Sequence, residues 1–104
     1  MASRYEEGRG RRDLEIWKFN RQIRRMRPGQ TLRLLGLAPF RLRFSLDGWK
    51  SVGDREAVFL PAAGCGHVDL FIPQSQEAPV AFTFFWTASH RWEGKDFSVE
   101  MERG

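Results

Sequence analysis

The chain has one cysteine, Cys65, and two histidines, His67 and His90. A single thiol excludes an internal disulfide, and no cysteine or histidine spacing suits a zinc site. No apolar run approaches the ~20 residues that a helix needs to cross a bilayer. The charged N-terminus has no apolar stretch of the secretory type, so a cytoplasmic location is the expectation. "AGCG" has neither the spacing nor the following helix of a phosphate-binding loop, and no cofactor is implied. Cys65 stands between two glycines with no base arranged beside it, so it is not read as a nucleophile. His67 and Asp69 share one side of an alternating run and read as a solvated polar pair. Paired carboxylates need rigid placement across a cleft. Asp47, Asp54, Glu93 and Asp96 fall in or near loops of a domain with little room for one, and Asp47 before Gly48 suits a turn. Catalysis is not expected.

What is present suits one small globular domain. The 104 residues are 41% hydrophobic and 13% aromatic, with nine Phe and four Trp, too apolar for a disordered chain. Charge is uneven. Residues 1–33 carry ten Lys/Arg against four Asp/Glu, whereas residues 34–104 carry seven against nine. The basic excess therefore belongs to the N-terminal third. Residues 1–13 hold almost nothing that can be buried and read as a mobile basic tail, leaving 14–104 as one domain.

Beyond the tail, the hydrophobic period is two. "LEIWKFNRQIRRM" is ambiguous between helix and strand; its context favours a strand near Ile16 to Asn20. "RPGQ" has Pro28 and Gly29 in type II turn order. "TLRLLGL", "APFRLRFSL", "EAVFLP", "HVDLFIP", "PVAFTFFW" and "DFSVEM" read as strands, separated by Gly and Pro. In the clearest, Phe40, Leu42, Phe44 and Leu46 share one face and Arg41, Arg43 and Ser45 the other. Six or seven short strands in this length indicate an all-β, antiparallel two-sheet β-sandwich, immunoglobulin-like or starch-binding-like. We expect the Phe40–Leu46 and Val80–Trp86 strands in different sheets. Leu42, Phe44, Val68, Leu70, Phe82, Phe84, Phe97 and Val99 should form the shared core.

Four tryptophans then divide. Trp86 continues the Val80–Phe82–Phe84 face and Trp17 suits a core strand, but Trp49 and Trp92 fall outside the alternation. An indole face stacks on the C–H patches of a sugar ring, and polar neighbours bond its hydroxyls. "DGWK" and "RWEGKD" each put a ring beside such groups. The bland alternative is that both rings plug their own loops.

"IWKFNRQIRRMRPGQTLRLLGLAPFRLRFSLDGWKSV" followed by "FTFFWTASHRWEGKDFSVEM" resembles the C-terminal β-sandwich domain of bacterial glucoamylase-type enzymes, the glucan 1,4-α-glucosidases of glycoside hydrolase family 15. A "DGW" turn followed late by a "WEGKDF"-like element is also similar to starch- and glycogen-binding modules. The resemblance implies a non-catalytic accessory module of an α-glucan-active enzyme, without the helical catalytic barrel. It implies a carbohydrate site at Trp92, Glu93, Lys95 and Asp96, with Trp49 and Lys50 from the earlier turn. The implied ligand is an α-glucan or maltooligosaccharide; a glucoamylase-type catalytic domain is a further implied partner. Two other functions stand beside this one. The domain is a scaffold that packs on a partner through an exposed sheet face, with Phe71 and Phe85 as candidates; or, more weakly, the arginine-rich N-terminus binds nucleic acid, although the chain lacks a matching recognition motif. No membrane partner is expected.

Overall fold

The computed structural model describes residues 13–102. They form ten strands: β1 (Leu14–Trp17), β2 (Arg25–Met26), β3 (Thr31–Gly36), β4 (Phe40–Ser45), β5 (Gly53–Glu56), β6 (Val58–Leu60), β7 (Cys65–Phe71), β8 (Val80–Trp86), β9 (Arg91–Trp92) and β10 (Phe97–Met101). The sequence period of two becomes alternating burial. In β3, Leu32, Leu34 and Gly36 point inward; in β7, Gly66, Val68 and Leu70 do so. None of the described residues forms a helix long and apolar enough to cross a membrane.

The strands make two sheets. The first has the order β1-β3-β7-β6; the second has the order β2-β10-β8-β4-β5, with β9 pairing β8. Pairing is antiparallel except at one edge of each sheet, where β1 runs parallel to β3 and β2 parallel to β10. The all-β sandwich therefore stands, with more strands than the sequence indicated. The additional ones are short or polar: β2, β9 and the "GDRE" strand β5 lack a hydrophobic alternation to announce them.

Two expectations are corrected. The strand near Ile16 to Asn20 ends at Trp17, because Phe19 and Asn20 form a turn closed by an antiparallel bridge between Lys18 and Arg21. The chain thus leaves one sheet and reaches the other, closing the sandwich on that side. Further on, β4 and β8 lie in the same sheet, as antiparallel neighbours from Phe40 opposite Trp86 to Ser45 opposite Ala81. Their apolar faces stand side by side and point the same way. The opposing wall comes from β3 and β7, with Leu32, Leu34, Val68 and Leu70.

Aromatic rings dominate the space between the sheets. Trp17, 1% exposed, lies 5.0 Å from Phe19, 5.1 Å from Phe82, 5.6 Å from Phe84 and 4.9 Å from Phe97 between ring centroids. One side chain from β1 therefore ties both sheets together. Burying such a ring supplies about 1.5–3 kcal/mol from area alone. Phe44 is only half-buried at the rim of this core, with Arg55 over its ring at 5.6 Å. The turn at Pro28–Gly29 has Gly29 at φ 90°, as a type II turn requires. The basic tail proposed for residues 1–13 lies outside the described residues except for Asp13.

Candidate binding surface on the second sheet

Trp49 belongs to the connection between β4 and β5. Its position is fixed by Ser45, the last residue of β4, which the loop covers to 2% exposure. The Ser45 hydroxyl oxygen accepts the N–H groups of Asp47 at 3.3 Å and Trp49 at 2.9 Å, and the hydroxyl donates to Asp47 Oδ1 at 2.8 Å. Asp47 Oδ1 also accepts the Ser51 N–H at 2.8 Å. This N–H, together with the Ser45 hydroxyl, holds the Asp47 carboxyl below its usual range. The network sustains two consecutive left-handed residues, Gly48 at φ 72° and Trp49 at φ 69°. Glycine adopts that conformation freely, whereas Trp49 costs about 1–2 kcal/mol.

Trp92 is positioned by β8. It lies opposite Phe85 in the β8–β9 pairing, with ring centroids 4.9 Å apart. After Trp92 the chain bulges away from β8. The Glu93 N–H donates to the Phe84 carbonyl at 2.8 Å, the Thr83 hydroxyl donates to the Lys95 carbonyl at 2.9 Å, and pairing resumes with Phe97 opposite Phe82. Gly94, at φ 82°, allows the reversal.

The loop and the bulge meet on the outer face of the second sheet. An open depression of about 330 Å³ is lined by Trp49, Trp92, Lys95 and Asp96, with Arg43, Thr83 and Gly94. Both indoles are accessible, Trp49 at 37% and Trp92 at 46%, so neither is sealed beneath its loop. Glu93 turns elsewhere: its Oε1 accepts the Trp86 indole N–H at 2.7 Å, and it lines an adjoining depression that shares Trp92. Lys50 is exposed but is not among the lining residues. Four of the six residues expected at a site thus come together.

No protein-family model, curated protein or solved structure matches this chain. The surface is therefore read from its own chemistry.

Arg43 and Thr83 were not singled out from the sequence. Their signal was the polar half of two alternating strands; the register that puts Arg43 opposite Thr83 was not legible there. The Arg43 guanidinium lies over the Trp92 ring at 4.9 Å and bonds Asp54 through Nε at 2.9 Å and Nη2 at 3.3 Å. That pairing raises the Arg43 pKa and lowers that of Asp54. With Lys95 and Asp96 of opposite sign, the surface is close to charge-balanced. It offers flat aromatic area beside donors and acceptors.

Other places offer less. No group of three His, Cys, Asp or Glu suited to a metal ion occurs among the described residues. Asp69, on the same sheet face as His67, gives both oxygens to Arg33, at 2.8 and 2.9 Å. A cleft of about 400 Å³ beside β10, walled by the segment Gln22–Arg25 that leads into β2, is bordered by Trp17 and Phe97, but both rings are buried and present no open face.

Proposed function

We propose that this domain is a non-catalytic accessory module related to glucoamylase-type enzymes, binding starch, glycogen or maltooligosaccharide weakly by tryptophan stacking. The observation that carries the reading is the convergence of Trp49 and Trp92, from separate loops, on one open depression. A pyranose presents apolar C–H patches to an indole and hydroxyls at its edge. Lys95, Asp96 and the N–H groups of Arg43 not used by Asp54 are the hydroxyl partners. Because Arg43 covers part of Trp92, the sugar uses the other indole face or displaces the guanidinium. Hydroxyls leaving water offset much of the stacking gain, so affinity falls in the micromolar-to-millimolar range, about −4 to −8 kcal/mol.

Titration of maltoheptaose followed by tryptophan fluorescence tests this. Saturable binding is expected, weakened about tenfold or more by Trp92→Ala or Trp49→Ala, a loss of roughly 1.4 kcal/mol. No response of the unaltered protein at high millimolar sugar, or an affinity in both variants unchanged from that of the unaltered protein, ends the proposal.

A second reading, that the domain is a scaffold docking on another protein surface, has its own support. The first sheet exposes Phe71 at 66%, Val58 at 57% and Leu60 at 51%.

A further inference from the structure

Resting on the scaffold reading and independent of the sugar site, we propose that the outer face of the first sheet is where two copies of this chain meet. The strand register defines that face row by row. Leu14, Thr31 and Phe71 form one row; Ile16, Arg33 and Asp69 the next; Leu35, His67 and Val58 the third; Cys65 and Leu60 the last. A solvent-facing sheet surface is ordinarily polar, and the outer side of the second sheet carries two ion pairs, Arg41 with Glu56 and Arg43 with Asp54, beside its tryptophans. The first sheet differs. Most of its outward side chains are apolar, and Ile16, Val58, Leu60 and Phe71 are each more than a third exposed.

The charge pattern selects a second copy as the occupant. Among the described residues of that face, the only Lys, Arg, Asp or Glu are Arg33 and Asp69, and they bond each other near its centre. Residues 57–68, which include all of β6 and its turn into β7, contain no Lys, Arg, Asp or Glu, in a chain where 29% of residues are charged. In a two-fold contact every group near the axis meets its own counterpart. A net charge there would repel itself. One positive and one negative group side by side do the opposite, because the two-fold brings Arg33 of one copy toward Asp69 of the other. The chain carries +4 overall, so this balance is local to the face.

The area is adequate for a weak dimer. At about 100 Å² for each strongly exposed side chain, with smaller shares from Leu35 and Cys65, the patch measures roughly 500 Å². Two copies face to face remove about 1,000 Å² from water, below the ~1,200 Å² at which stable interfaces begin and in the range of weak, transient ones. The contact is therefore reversible, with a dissociation constant in roughly the micromolar-to-millimolar range.

Sedimentation velocity on the full chain, from about 5 to about 500 µM, tests this. The expected result is a concentration-dependent shift from monomer to dimer. Val58→Lys and Phe71→Lys each put a charge against its own copy and should weaken association more than tenfold. Both sites are exposed, and thermal unfolding by circular dichroism verifies that each variant is folded. Val52→Lys makes the same change at an exposed residue of the β4–β5 loop and should leave the dimer intact. A monomer at every concentration overturns the proposal. So does a dimer indifferent to both Val58→Lys and Phe71→Lys, or one lost equally in Val52→Lys. No sugar enters the measurement, so failure to bind glucan does not bear on its result.

Discussion

Replacing Ser45 with alanine should release Trp49 from the candidate surface. Three hydrogen bonds disappear: two backbone N–H groups lose their acceptor, and Asp47 loses a donor. Neutral bonds contribute about 0.5–1.5 kcal/mol each, so the two N–H bonds to the Ser45 oxygen are together worth about 2 kcal/mol; the bond to the solvent-exposed Asp47 is screened and adds little. Against this stands the left-handed strain at Trp49, about 1–2 kcal/mol, which is relieved when the loop relaxes. Without the Ser45 oxygen little opposes that strain, so the loop should leave its left-handed geometry. The net cost is about 1 kcal/mol, a fall in Tm of about 4–8 °C for a domain of this size. Fluorotryptophan NMR separates the four indoles, with Trp49 assigned through Trp49→Phe. The Trp49 resonance should move while the Trp17 resonance stays, and maltoheptaose affinity should fall with it. An unmoved Trp49 resonance with Tm within about 2 °C of the unaltered protein would refute the reasoning.

Acid should act on the same loop. The folded pKa of Asp47 is depressed, so its contribution is fully present above the unfolded value near 4 and is lost as pH falls through the lower folded value. The Trp49 resonance should be flat from about pH 8 to 5 and should titrate only below about 4; Asp47→Asn should abolish the transition, and a midpoint near neutrality would contradict the assignment. In the core, Trp17→Ala removes a ring touching four others and should cost about 3–5 kcal/mol, seen as a lower midpoint in urea. A loss under about 1.5 kcal/mol would mean that β1 does not hold the sheets together.

The period of two made the inward residues of β4, β7, β8 and β10 readable, because a half-buried strand writes its burial into alternate positions. It did not reveal that β4 and β8 are neighbours. Two strands with matching apolar faces look the same in sequence whether they stand side by side or across the core. Phe71 and Phe85 show a similar limit. Both lie opposite core residues on their strands, yet Phe71 is exposed while Phe85 is partly covered by Trp92, which β9 lays beside it. Ser45 was read on the polar side of β4 and is buried, because the loop that follows folds back onto its hydroxyl. Among the candidate site residues, the two loop tryptophans stood out by breaking the alternation. Glu93 was grouped with them by adjacency, but the bulge turns it toward the Trp86 indole.

The sequence by itself determined an all-β domain, which residues face inward along its clearest strands, and the two loops that carry unscheduled tryptophans. These depend on local periodicity and turn chemistry, which a linear chain records. The tertiary structure alone decided that those tryptophans share one depression with Arg43 and Thr83, and that one sheet's outer face is apolar and charge-balanced. Both are matters of strand register and sheet assignment, set by long-range pairing between segments whose separation along the chain says nothing of their distance in space.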